Sequence, residues 1–443
     1  MAFTRMVRAV GTTALTGALI LAAAPIASAD QTRRDQWALG VLHAESAWKV
    51  STGKGVTVAV IDTGVNAEHL DLKGNVLKGK DFVDGDDDAS PEESDSDLST
   101  NHGTEMASLI AGHGHGAGAA DGVMGLAPEA KILPIRWGGG SFAEEIRYAV
   151  DHGASVISMS VSTSHEFPED RAAVAYAIAH NVLIVAASGN EGESGQIDFP
   201  GEFPGVLTVG GVGRNGTIWE GSNYGPQVLL TAPATDIVSA GWPGNKLRIG
   251  TGTSDSAAFT SAAAALIKSK FPDLTPGQIA NRLVKTAVLP ASAKGLSLPD
   301  EKYGYGTISP FAALTQDIPA GSKYGPLVAP GSGSPSAAAS AGTSDTDSAT
   351  EKEKADQKQM VFFVVLGVVS LVVIGLIVLL IVKLSRRNKD HNGGGGGPAG
   401  YPQYGQQVAP PQQNPYQQPV SPQQQNPYQQ QPTPPHGQWP PQQ

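Results

Sequence analysis

Short runs of Val, Ile, Leu and Ala recur between residues 36 and 315, and within each run neighbouring positions are apolar, not alternate ones. A strand with one wet face alternates; a short continuous apolar run belongs to a strand buried on both faces. Residues 56–61, 131–135, 155–160, 182–186 and 206–212 fit that description. Segments of helical length lie among them, at 102–111, 143–151, 170–180, 254–270 and 275–286. In the last of these, Thr275 suits the N-cap and Pro276 the first helical turn. Strands interleaved with helices predict an α/β domain, a doubly wound parallel sheet with helices on both faces.

Outside this region the pattern changes. Arg5 and Arg8, an apolar stretch over 14–26 and then Ala27-Ser28-Ala29 have the order of a secretory signal peptide, expected over 1–29, with the folded domain over 30–318. Residues 319–359 turn to Gly, Ser, Ala, Pro and Thr and then to a charged run, the composition of a flexible linker. Residues 360–382 carry no charge and are strongly apolar; as a helix rising ~1.5 Å per residue they would span a ~30 Å bilayer core. Lys383, Arg386, Arg387 and Lys389 follow, which by the positive-inside rule places the tail 383–443 in the cytoplasm and the folded domain outside. The tail is rich in Gly, then in Pro, Gln and Tyr, repeats the heptapeptide of 412–418 at 424–430, and is expected to be disordered.

Charge and composition narrow the function. A formal net charge of -11, with the basic cluster beside the membrane segment, argues against a nucleic-acid partner, which needs a cationic face. No cysteine is present, so an exported domain must be held by its core, and thiolate zinc sites are excluded. No His-Glu-x-x-His occurs either. His113 and His115 have ligand-like spacing but no third ligand in view. Residues 84–97 hold eight carboxylates just ahead of His102; a solvated loop is the first reading, with calcium binding or attraction of basic substrates as alternatives.

Three residues stand at ends of expected elements, in the order Asp, His, Ser: Asp62 closing the first strand, His102 opening a helix, and Ser254 opening the Ala-rich helix. Taken singly they read as a turn aspartate, a surface or capping histidine and an N-cap serine. Together they are the set that acyl transfer needs. A hydroxyl becomes a nucleophile when an imidazole takes its proton, and the imidazole needs a carboxylate to fix its tautomer. A helix N-terminus at Ser254 would favour charge developing on the attacked carbonyl. Asn190, after the apolar run ending in Ala-Ala-Ser-Gly, could donate a side-chain N–H to that oxyanion.

Ile-Asp-Thr-Gly-Val around Asp62, His-Gly-Thr at His102, Ser-Gly-Asn at Asn190 and Gly-Thr-Ser at Ser254 resemble the four signature blocks of the subtilisin-like serine proteases, over residues 36–315. The wider layout resembles the mycosins, subtilases that accompany type VII secretion systems, including the short run of only 31–36 between signal and domain. The resemblance implies a subtilisin-like fold, Asp62, His102, Ser254 and Asn190 as catalytic residues, and residues 160–162 and 186–188 as the pocket before the scissile bond. It also implies protein or peptide substrates, no required cofactor, and the secretion machinery of the membrane as partner. The chain departs from the family pattern at Glu105, where a histidine usually stands, and at Asp255 and Ala258, usually a Met or aromatic residue and a proline. An inward Asp255 carboxylate would oppose the oxyanion, and a solvent-facing one would not. A scaffold role in a secretion complex, with weak or no proteolysis, is the alternative function.

Overall fold

The apolar runs become the central strands of a seven-stranded sheet with the order β2-β5-β1-β6-β7-β8-β9. These are β1 Thr57–Asp62, β2 Lys80–Asp81, β5 Lys131–Arg136, β6 Val156–Met159, β7 Leu183–Ala187, β8 Leu207–Val212 and β9 Val228–Pro233. Every pairing among them is parallel. Two antiparallel hairpins stand outside the sheet: β3 His113–His115 with β4 Asp121–Met124, and β10 Ile237–Ala240 with β11 Leu247–Gly250. The protein, a computed structural model, is described over residues 31–92, 98–241 and 243–329. The expected signal peptide, transmembrane helix and cytoplasmic tail lie outside these residues, as does most of the expected linker. Among the described residues no helix is long and apolar enough to cross a membrane.

Both faces of the sheet are buried, which is why its strands do not alternate. Val58 and Val60 of β1 join Ile132, Val156, Leu183 and Val185 in one core, with Met106, Leu109, Ala263 and Leu283 of the covering helices. Ala59 and Ile61 point the other way, with Leu133, Ile135, Ile157 and Met159, against Ile146 and Val174. The first face is covered by the helices His102–Ala111, Thr253–Lys270 and Pro276–Thr286, and the second by Ala143–Asp151 and Pro168–Ala179. The Thr253–Lys270 helix is buried on every side from Thr253 to Ile267. Its many alanines let neighbouring backbones come close, and an all-round buried helix needs no polar stripe.

Thr275 caps the next helix as expected: its Oγ1 accepts from Gln278 N–H and the Gln278 side chain accepts from Thr275 N–H, a reciprocal capping box. That helix also holds the chain beyond the expected domain end at 318. Arg282 donates to the carbonyls of Ala313, Gln316 and Ile318, Thr275 Oγ1 donates to Lys323 O at 2.6 Å, and Leu327 is buried in the core. Residues 319–329 therefore pack on the domain although their composition reads as linker; backbone carbonyls supply most of the contacts, and composition does not register those.

Candidate active site

β1 alternates faces, so Asp62 points to the same side as Val58 and Val60, toward the helix that begins at His102. There the carboxylate is buried, 1% exposed, and accepts from His102 Nδ1 at 2.8 Å on Oδ1 and 3.0 Å on Oδ2. Thr63 N–H also donates to Oδ1, at 2.8 Å. The two sequence motifs interlock around this pair: Gly103 N–H donates to Thr63 Oγ1, and Asn66 N–H donates to Thr104 Oγ1. A side chain at Gly103 would put its Cβ 2.3 Å from Gly64 O and 3.1 Å from the Asp62 Cβ. Glycine there is a requirement of close approach, and it is what brings the imidazole to the carboxylate.

Ser254 is the second residue of its helix, whose N-cap is Gly252, so it is inside the helix and not the cap. Its Oγ donates to Ser160 O at 3.5 Å, and Ser160 Oγ donates to Ser254 O at 3.2 Å. The hydroxyl thus rests on the residue that follows β6 and not on the imidazole. Asn190 is tied to the same turn. Thr253 N–H donates to Asn190 Oδ1 at 2.9 Å, and Thr253 Oγ1 does so at 2.8 Å while accepting from Gly189 N–H. Because Thr253 N–H is a donor, the atom facing it must be the amide oxygen. Nδ2 then has no protein hydrogen-bond partner among the described residues, and the residue is exposed. Thr253, fully buried, is the residue sequence reasoning missed: it sits in the Gly-Thr-Ser motif but reads there only as a neighbour of the serine.

Asp255 is 4% exposed and Glu105 5%, so the inward arrangement of Asp255 is the one adopted. Burial pushes the Asp255 carboxyl up to about 8, against the pull of His102 and with the help of Glu105. Burial also raises Glu105, while Arg248, bonded through Nη1 to Glu105 Oε1 at 2.7 Å, lowers it. His102 is pulled down by burial, but Asp62 first, then Glu105 and Asp255, overcome that and push it up to about 9. Arg248 had no signal in the sequence: it arrives from β11, 143 residues beyond Glu105.

The acidic stretch ahead of His102 is tethered at its start. Arg136, which pairs in register with Asp62, bonds Asp81 at 2.7 Å and Asp84 at 3.1 Å and also holds Glu92. Lys78 and Lys80 take Asp87. Of the two spaced histidines, His115 bonds the buried Asp71 at 2.6 Å and His113 bonds Lys73 O, so they turn to different partners.

Comparison with known proteins agrees with this geometry. The model of the subtilase family matches residues 53–306. Mycosin-1 of Mycolicibacterium smegmatis is 33% identical over 353 residues, covering 66% of this chain and 75% of that protein. The major intracellular serine protease of Bacillus subtilis is 37% identical over 242 residues, 52% of this chain and 73% of that protein. A crystal structure of MycP1 from the ESX-1 type VII secretion system superposes with a TM-score of 0.55 at 32% identity, covering 66% of this chain and 88% of that one. With the carboxylate–imidazole pair at the carboxyl edge of a parallel sheet flanked by helices, these matches show that the chain belongs to the subtilase family and is a serine protease closely related to the mycosins.

Proposed function

We propose that the protein is a membrane-anchored serine endopeptidase whose domain works outside the cytoplasm and is associated with type VII secretion. The Asp62–His102 contact, in which the one Nδ1–H is shared between both carboxylate oxygens, carries the catalytic part of this reading. Asp62 holds the imidazole with Nδ1–H toward the carboxylate, leaving Nε2 to take the Ser254 proton as Oγ attacks the peptide carbonyl. Asn190 Nδ2 donates to the oxyanion. The tetrahedral intermediate collapses as His102 returns the proton to the leaving amine, and water, activated by the same imidazole, releases the acyl group.

A fluorophosphonate probe tests the assignment without knowledge of the natural substrate. It should label the parent protein and not Ser254→Ala; labelling of neither would favour the scaffold reading, which the unusual carboxyls beside Ser254 keep in view.

The anchoring part rests on sequence: the apolar 360–382 followed by Lys383, Arg386 and Arg387. The secretion part rests on relatedness to the mycosins. Protease added outside intact cells should release the folded domain by cutting in the Gly-, Ser- and Ala-rich stretch near 331–348. Digestion of the 383–443 tail instead would reverse the topology.

A further inference from the structure

We propose that Asp198 sets the specificity of the enzyme, its carboxylate receiving a lysine or arginine side chain at the residue before the scissile bond. The inference names the substrate class of the site proposed above and rests on that reading.

The place for that side chain follows from what holds the nucleophile. Ser254 exchanges contacts with Ser160, the residue after β6, and Asn190, three residues after β7, holds Thr253. An acyl group whose carbonyl lies between Ser254 Oγ and Asn190 Nδ2 puts its side chain between the two segments that leave these strands. β6 and β7 are paired neighbours as far as Met159 and Ala186, and there the pairing stops. The chain after β6 turns to another partner: Thr163 and Phe199 exchange both backbone hydrogen bonds, each at 3.0 Å. The segments therefore part beside the nucleophile, and residues 197–199 close the far side of the gap. Small residues border it, Ser160 and Ser162 on one side and Ala187, Ser188 and Gly189 on the other.

Asp198 stands in the far wall. Ile197 is buried and Phe199 packs on Phe203, ring centroids 4.7 Å apart, so the residue between them turns to the opposite face. There Asp198 Oδ2 accepts from Ser162 Oγ at 3.3 Å. The wall is fixed from behind, where Thr208 Oγ1 of β8 donates to Gly201 O at 2.7 Å. Other acids of these segments are taken: Glu166 pairs with Arg171, and Glu191 Oε2 accepts from Asn190 N–H and Asn223 Nδ2. Among the described residues the half-buried Asp198 carboxylate meets no cation, and the Ser162 hydroxyl is the one donor to it. Its acceptor capacity is largely unused. From Ser160, against the nucleophile, to Ser162, against Asp198, two residues of chain span at most ~7 Å. A lysine or arginine side chain is of comparable length and ends in the donors that the carboxylate lacks.

Peptide diphenyl phosphonates that phosphonylate Ser254 test this on the intact chain without a natural substrate. Two probes differ only in carrying lysine or its uncharged analogue norleucine before the reactive phosphorus; a second pair carries arginine or citrulline. In the parent the charged member of each pair should inactivate about ten- to a hundredfold faster, the range of a hydrogen bond to a charged group. Added salt should narrow that ratio. Asp198→Asn should bring it to within about threefold of unity, and Asp198→Glu should keep a preference for the charged probe. A merely structural role for Asp198 would slow both members of a pair alike and leave the ratio where it was. A parental ratio near one, or a ratio unmoved in Asp198→Asn, overturns the inference. Should the asparagine variant fail to fold, the parental ratio and its salt dependence still decide. No reaction of the parent with any probe, the small fluorophosphonate included, would remove the Ser254 assignment and the inference with it; reaction without preference for lysine or arginine would overturn the inference alone.

Discussion

Asp62→Asn should lower kcat by about 10⁴-fold while the fold stays intact, the largest effect expected of any conservative change in this protein. The reason is a tautomer. Asp62 Oδ1 accepts from Thr63 N–H as well as from His102 Nδ1, and an asparagine would keep its oxygen on the backbone donor. Its Nδ2 would then occupy the place of Oδ2, which stands 3.0 Å from Nδ1. A donor there favours Nδ1 as the acceptor, which moves the imidazole proton to Nε2, the atom proposed to receive the Ser254 proton. The same change removes the foremost charge holding the imidazole protonated, so titration of His102 should fall from about 9. The imidazole of the variant should then lose its proton at a lower pH than in the parent, and activity should still be nearly lost. That combination separates orientation from charge. A kcat within tenfold of the parent, with unchanged circular dichroism, would mean that Asp62 does not orient the base.

Much of this site was legible because each part of it is local. Asp62, His102, Ser254 and Asn190 each carry a short motif, and each motif is a local solution to a backbone problem, as Gly103 is to the approach of the helix to β1. The central strands were legible for a related reason: burial on both faces leaves a continuous apolar run that no helix of amphipathic period imitates. The helices His102–Ala111 and Ala143–Asp151 begin and end where the sequence pattern put them. The hairpins were not seen. β11 has no buried residue, and β3 carries only His-Gly-His, so neither has an apolar signature. β9 was passed over although it is apolar, because it lies among Gly, Pro and polar residues and has no helix directly before it. The direction of Asp255 was open for a sharper reason. A helix buried on all sides has no polar stripe, so its sequence does not say which neighbour any one residue meets. Arg248 belongs to the same class: its role exists only through a contact with a helix far away in the chain.

Asn190→Ala should lower kcat by about 10²- to 10³-fold and leave KM nearly unchanged, because a donor to the oxyanion does its work only in the transition state. The orientation of the amide makes this a sharp test. Thr253 N–H and Oγ1 both occupy Oδ1, so Nδ2 is fixed at the edge of the Ser254 turn and does not need to be organised when substrate arrives. Alanine removes the donor, but it also strips Thr253 of its acceptor, which should cost about 1 kcal/mol of stability. Asn190→Asp separates the two effects. The carboxylate keeps an oxygen for Thr253, and so the fold of the turn, but puts a second oxygen and a negative charge where Nδ2 stood. Its kcat should fall further than that of the alanine variant, with a melting temperature closer to the parent. If instead the aspartate variant were the more active of the two, the role of Asn190 would lie in holding Thr253 and the nucleophile turn. The oxyanion would then have to be met by backbone N–H groups at the start of the Ser254 helix.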